Sequence, residues 1–509
     1  MAPAAEVKGG LAVAALVLLV GGGALATTNS LVGVFYDDGL YAGLATSLAG
    51  GDGYAHPHLP GTPAAVHYPP LYPAVLAPFF GLLPLAAAAL AAKILNLLLA
   101  AAAAGLITWH AMRIELLDPA SPRWLTPILV GAASVAIPVL ATQAVLFAEP
   151  LFAVLLAATI IMADRGGPDR RARWITGGIA ALAFLTRSIG VAAVAGIACF
   201  VVARRMPLRD LVAVVVPPAI AAALWGLWVL IHEGGIDPAI ALNYGSYGEI
   251  LRQTGLSALG VSAPDLPRPL EALTLGWIPV RWLYHLAATA TLAVGLYGLA
   301  VLVRRSAIGY TLVFYLLMLA VWPYPPDRFL WAVLPWLALA WAIGALALWR
   351  RSALLGKNAA LVRAPVAFVA LLLTVGFVRY EILGAAGRWW GTQAQAISAN
   401  FSELLPMIRD LPPASVVAVD DEALVWLYSG RQAVPLYIER YRGRETVRPT
   451  PAEHRAYLER MGITHVVLAS AGSPSAGELR ALLEAYPDWL TAVYRWSGGR
   501  WLFAVNRGQ

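Results

Sequence analysis

The densest cluster of reactive side chains in this 509-residue chain is Phe35-Tyr36-Asp37-Asp38-Gly39-Leu40-Tyr41. Two adjacent carboxylates beside an apolar run repel each other and lose hydration, so their charge depends on what lies opposite them. One can take the proton of an acceptor hydroxyl while the other holds a cation or a sugar. The plainer alternative is a solvated helix start, since both acids precede the helix-like run Gly39–Leu48. The same stretch continues through Gly50-Gly51-Asp52-Gly53-Tyr54, whose glycines read as turns, then His56, His58 and His67-Tyr68-Pro69-Pro70-Leu71-Tyr72-Pro73. A spaced histidine pair in a proline-rich loop is only weak evidence for a metal.

Three more ionisable groups stand at the ends of apolar runs. They are Glu149 in Phe147-Ala148-Glu149-Pro150-Leu151-Phe152, Arg187 in Leu185-Thr186-Arg187-Ser188, and Arg328 in Pro325-Pro326-Asp327-Arg328-Phe329. A charge at such a depth is a functional candidate by default. The bland alternatives are snorkelling and structural ion pairs, and snorkelling is the expectation for Lys93. Acids and fixed cations around one membrane-level cavity suit a substrate whose phosphate sits among lipid headgroups.

The elements that must position these groups are helices in a bilayer. The chain is 60% hydrophobic and 13% charged, and apolar stretches recur along roughly three quarters of it. Spans are expected near 10–32, 88–111, 125–143, 149–163, 174–186, 189–203, 210–232, 280–303, 307–322, 329–349 and 364–380, about eleven in all. Arginine then sorts the connections. Arg113 and Arg123; Arg165, Arg170, Arg171 and Arg173; Arg204, Arg205 and Arg209; Arg304 and Arg305; and Arg350, Arg351, Lys357 and Arg363 fall on one side. The loop Phe35–Pro70, which has no Lys or Arg, and the loops around Glu149, Arg187, Gly234–Gly276 and Pro323–Arg328 fall on the other. The positive-inside rule makes the first side cytoplasmic. Counting Leu71–Leu83 as a span would reverse every later loop, so that proline-rich segment is expected to be interfacial or re-entrant.

The expected location is therefore a multi-pass plasma (inner) membrane protein with a cytoplasmic N-terminus. The run Leu11–Val20 followed by Ala24-Leu25-Ala26 could be read as a cleaved leader, but the topology needs it as a retained first span. Cys199, the one cysteine, excludes an intrachain disulfide and a cysteine-based metal site. No basic run interleaved with aromatics is present, so nucleic acid is not an expected partner.

Beyond residue 380 the pattern becomes polar. Val416–Val419, Thr464–Leu468, Thr491–Tyr494 and Trp501–Val505 read as strands, and Thr450–Met461 and Ser475–Tyr486 as helices. Thr450 or Ser475 could cap its helix, with Glu453 or Glu478 three residues on. Asp420-Asp421-Glu422 is expected to cap a helix after a strand. The fold class is thus mainly α: a polytopic membrane domain (1–380) whose first external loop (35–87) carries the acids, and a small extracytoplasmic α/β domain (381–509).

In their order and shared sidedness, these residues resemble the polytopic glycosyltransferases of the C-type fold. The nearest branch holds protein O-mannosyltransferases and the lipid A aminoarabinose transferase. The carrying residues are Tyr36-Asp37-Asp38, His67-Tyr68-Pro69-Pro70-Leu71-Tyr72-Pro73, Ala148-Glu149-Pro150-Leu151-Phe152, Leu185-Thr186-Arg187, and Asp327-Arg328-Phe329 through Leu334-Pro335, spanning about residues 10–350. The resemblance implies a polyprenyl-phosphate sugar as donor and transfer to an extracytoplasmic acceptor: a glycan, lipid or protein. It implies an aspartate base at Asp37 or Asp38, phosphate contacts from Arg328 and Arg187, and a site acid at Glu149. His67 and Tyr68 stand where members often carry a lysine for the phosphate, and a neutral histidine is a weaker partner. No cofactor is required, though a divalent cation could assist the acids. Two other readings fit membrane-level charges: a transporter or flippase of a lipid-linked precursor, although no internal repeat is seen, and a sensor whose outer domain binds a ligand.

Overall fold

The computed structural model describes residues 5–28, 30–165, 170–255, 260, 263–322, 324–442 and 445–506. Pro323, which bounds one expected outer loop, and residues 256–259 and 261–262 of another lie outside the described residues.

Each of the eleven expected spans is helical. Helix Ala5–Ala26 lies along Leu85–Arg113, and Gly10 and Gly105 meet so closely that neither leaves room for a side chain. Gly298 and Gly344 do the same where Arg281–Val303 crosses Asp327–Arg351. Among the described residues, five helical stretches are long and apolar enough to cross a membrane alone. The last of them, Asp327–Arg409, contains both Asp327–Arg351 and Ala360–Gly387. The 125–143 segment is broken: Leu125–Ser134 and Ile137–Ala144 meet at 54°. Pro138 lies in the first turn of the second helix, so it cannot supply the N–H that a continuous helix would use there. Helices Glu149–Asp164, Arg170–Thr186, Val191–Ala203 and Ala307–Val321 are shorter and contribute to a core that includes Phe152, Ile160, Tyr315 and Trp336. Leu71–Leu82 is a 12-residue helix containing Pro78, joined to Leu85–Arg113 through Leu83 and Pro84.

The arginine-bearing connections gather at one end of the bundle. There Arg204 donates to the Arg304 carbonyl (3.0 Å), Arg305 donates to the Leu116 carbonyl (2.9 Å), and Arg350 pairs with Asp118. Asp164 accepts from His110 (2.9 Å), from the Ser306 hydroxyl and from the Ala307 N–H (2.8 Å). Glu149 begins the same helix that Asp164 ends, so the acid lies at the opposite end.

That opposite end carries the C-terminal sheet. The strands are β1 (Val416–Val419), β2 (Gln432–Pro435), β3 (Arg440–Arg442), β4 (Glu445–Val447), β5 (His465–Leu468), β6 (Leu490–Trp496) and β7 (Arg500–Val505). Five form a sheet in the order β2-β1-β5-β7-β6, and β3 and β4 form an antiparallel pair. β1 runs parallel to β2 and β5, with Val417 opposite Ala433 and His465, while β7 runs antiparallel to β5 and β6. Both faces of β1 are buried. Val417 and Val419 pack with Phe401 and Leu405, whereas Val416 and Ala418 pack with Tyr457 and Leu482. The second cluster also contains Leu40, Ile240 and Tyr244, so one apolar core joins the sheet to the bundle.

The four strands read from the sequence are β1, β5, β6 and β7, and both helices are present as Pro451–Arg460 and Ala476–Ala485. Thr450 makes the expected capping box with Glu453. Ser475 does not cap: its hydroxyl donates to Asp420 (2.7 Å). Asp421 precedes helix Glu422–Ser429 but makes no side-chain cap bond, because this acidic turn is drawn into tertiary contacts instead.

Candidate active site

Asp37 and Asp38 open helix Asp37–Gly50, which ends at Gly51 in the left-handed conformation (φ 84°). Neither acid is solvated; they are 8% and 1% exposed. Their side chains have diverged. Asp38 turns back on its own loop, accepting from the N–H groups of Gly33 (2.7 Å) and Phe35 (2.9 Å). Asp37 turns the other way, accepting from the Tyr68 hydroxyl (2.8 Å) and pairing with Arg328. Burial alone would raise the Asp37 carboxyl, but Arg328 and Tyr68 outweigh it and hold the group below the usual carboxylate range. Burial pushes Asp38 upward, against the pull of its backbone donors and of Lys93.

Arg328 continues the chain of charges. It stands in the first turn of helix Asp327–Arg351, with its Nε 4.0 Å from Glu149 Oε1. Glu149 in turn pairs with Arg187. Arg187 is an extended residue (φ −149°, ψ 133°) in the break between Arg170–Thr186 and Ser188–Gly190, where Gly190 packs directly on the backbone of Ala183 and Phe184. Each guanidinium lies over an aromatic ring, Arg187 over Phe329 and Arg328 over Phe147, both at 4.4 Å. The four groups thus run Asp37, Arg328, Glu149, Arg187, with two negative and two positive charges. Glu149 also lines a narrow cleft between the helices. Its other walls are mainly apolar, with Ala100, Ile107, Val139, Ala153, Trp331 and Pro335 among them.

The remaining sequence candidates fall elsewhere. Tyr68 serves Asp37, while His67 is buried with Nδ1 2.8 Å from the Gly245 carbonyl oxygen. Burial lowers the His67 imidazole, which leaves it uncharged at neutral pH. Lys93 does not snorkel. It is buried and donates to the Ser30 carbonyl (3.2 Å), because the chain leaving the first helix folds over it. His56 and His58 are fully buried, and burial pushes His56 down to about 3. His58 lies 2.9 Å from the Tyr244 hydroxyl, which donates to Glu422. Among the described residues, no group of three or more His, Cys, Asp or Glu is placed to hold a metal ion. Tyr36, Tyr244 and Glu422 were invisible as a unit from the sequence, since 178 residues separate Tyr244 from Glu422.

Solved structures share this architecture at low sequence identity. ArnT from Cupriavidus metallidurans bound to undecaprenyl phosphate superposes with a TM-score of 0.56 at 14% identity, over 97% of each chain. The archaeal oligosaccharyltransferase AglB from Archaeoglobus fulgidus, in complex with an inhibitory peptide and a dolichol-phosphate, gives 0.52 at 12% identity. It covers 99% of this chain and 74% of its own. The fold is the C-type fold of polytopic membrane glycosyltransferases. No family model and no curated protein matches the sequence.

Proposed function

We propose that this chain is a membrane glycosyltransferase that moves a sugar from a polyprenyl-phosphate donor to an acceptor hydroxyl on the outer face of the plasma (inner) membrane. Asp37 is the base. The observation that carries the reading is the line Asp37, Arg328, Glu149, Arg187, whose Glu149 also lines an apolar cleft. The ligands named with the two structures of like fold, undecaprenyl phosphate and a dolichol-phosphate, have the chemistry this arrangement suits. The positive-inside rule places the arginine-bearing end in the cytoplasm and the site with the C-terminal domain outside.

The chemistry follows from the charges. The acceptor oxygen attacks the anomeric carbon, the bond from that carbon to the phosphate oxygen breaks, and its electron pair leaves with the polyprenyl phosphate. Arg328 and Arg187 stabilise the charge that develops there. The acceptor proton passes to Asp37. While Arg328 pairs with Asp37, the carboxylate is a weak base. A donor phosphate that shares Arg328 loosens that pair and raises the basicity of Asp37, so donor binding readies the base. Asp38 has a different role: its backbone bonds shape the loop that presents Asp37.

The test uses purified protein in lipid nanodiscs, with undecaprenyl-phosphate carrying labelled mannose, glucose, arabinose or aminoarabinose, and envelope lipids and glycans as acceptors. Transfer by the wild type, abolished in Asp37→Asn, supports the reading. Transfer undiminished in Asp37→Asn removes the base. Movement of labelled lipid across the bilayer without transfer identifies a flippase.

A further inference from the structure

Helix Glu422–Ser429, from the C-terminal part of the chain, lies directly against the acid-bearing loop. A Cβ added to Gly33 would come within 2.6 Å of Leu424 Cβ, and one added to Gly39 within 2.9 Å of Ala423 Cβ. Gly33 also has φ 101°, which a side chain would resist. The preceding backbone is tied to the same region: the Leu31 N–H donates to Ser398 Oγ (2.9 Å) and the Val32 N–H to the Tyr428 hydroxyl (3.1 Å).

The first residue of that helix is Glu422, which is buried. It accepts a hydrogen bond from the Tyr244 hydroxyl, which also lies 2.9 Å from His58 Nε2. The Tyr244 ring meets Tyr36 edge-on at 5.7 Å. Tyr36 immediately precedes Asp37 and is the centre of a γ-turn (φ 61°, ψ −74°) closed by the Asp37 N–H to the Phe35 carbonyl (2.7 Å), a strained conformation that persists only where its surroundings enforce it. An unbroken set of contacts therefore runs from the sheet domain to the residue that sets the direction of Asp37.

We propose that Glu422 is a positioning residue for Asp37: through Tyr244 it holds the Tyr36 backbone that aims the Asp37 carboxylate at Arg328. The C-terminal domain is then part of the active-site architecture rather than an independent appendage. This inference rests on the transferase reading above. Burial pushes the Glu422 carboxyl up to about 8, so it is mostly uncharged at neutral pH, and glutamine is its close mimic.

The experiment compares full-length wild type, Glu422→Gln, Glu422→Leu and Tyr244→Phe in nanodiscs, using whichever labelled undecaprenyl-phosphate sugar the wild type transfers. Misplacing a reacting group by a fraction of an ångström lowers turnover, so kcat falls about tenfold to a hundredfold in Glu422→Leu and Tyr244→Phe. KM for the donor stays within about twofold, because the arginines that hold its phosphate are untouched. Glu422→Gln restores turnover. The inference is overturned if Tyr244→Phe keeps the wild-type kcat, if KM rises while kcat is unchanged, or if Glu422→Gln is as impaired as Glu422→Leu. Tyr244→Phe removes a single hydroxyl and decides the matter should Glu422→Leu not fold. A wild type inactive with every donor overturns the transferase reading itself, whereas an active wild type with unimpaired variants overturns the positioning role alone.

Discussion

Replacing Arg187 with methionine separates what the buried charges contribute to folding from what they contribute to binding. The Arg187 and Glu149 side chains are 10% and 3% exposed, so they form an ion pair almost without solvent. Removing one member strands the other in a poorly solvated place, which costs about 3–5 kcal/mol at comparable sites. Arg328, with its Nε 4.0 Å from Glu149, offsets part of that loss, so about 3 kcal/mol is expected for Arg187→Met. Glu149→Gln strands Arg187 instead and is expected to cost a similar amount. The double variant removes both charges and is expected to lose less than about 1 kcal/mol, because paired apolar or neutral replacements are often close to neutral. Such strong non-additivity is far outside the ~0.5 kcal/mol scatter of independent sites. The assay is denaturation of the purified variants in one detergent, followed by titration with undecaprenyl phosphate. The folded double variant is expected to bind the phosphate about tenfold more weakly or worse, since a hydrogen bond to a charged group is worth roughly 1.5–3 kcal/mol. Additive destabilisation in the double variant, or wild-type affinity for undecaprenyl phosphate, would refute this reasoning.

Two further outcomes follow from the divergence of the paired aspartates. Asp37 is held below its ordinary range, so its stabilising contribution is complete above the unfolded value of about 3.9 and is lost as pH falls through the lower folded value. The acid limb of kcat/KM, which reports the donor-free enzyme, therefore lies below the ordinary carboxylate range, and Tyr68→Phe moves that limb upward; a kcat/KM profile that does not move excludes a role for the Tyr68 bond. Asp38→Ala leaves the Gly33 and Phe35 N–H groups without their acceptor and costs about 1–3 kcal/mol in thermal unfolding, whereas Asp37→Asn keeps an acceptor for Tyr68, loses the stabilisation of its charge and is expected to fold but fail in turnover.

Much of the frame was legible because hydrophobic length and arginine placement are local properties. The expected span 88–111 is helix Leu85–Arg113, and the expected strand Val416–Val419 is β1 with both ends correct. The bend at Pro138 was not read, because the apolar run continues through it. Strand β2 was missed because Gln432 and Pro435 give it no strand-like alternation. Asp37, Glu149, Arg187 and Arg328 stand out as candidates by their positions at the ends of apolar runs, but which charge pairs with which depends on helix rotation. Neither acid of the Asp37-Asp38 pair announces its partner, since a helix turns adjacent residues about 100° apart. Lys93 is covered by the chain leaving the first helix, a tertiary contact that its own apolar run does not encode. The Glu422–Tyr244–Tyr36 contacts depend wholly on how two distant segments dock, and no local pattern encodes that.

The most direct test is a structure of the protein with undecaprenyl phosphate bound. The account predicts the phosphate oxygens within hydrogen-bond reach of the Arg328 and Arg187 guanidinium groups, the lipid chain in the cleft lined by Ala100, Val139 and Trp331, and the Asp37 carboxylate released from Arg328. A phosphate held away from both arginines, with the Asp37–Arg328 pair intact, would contradict it.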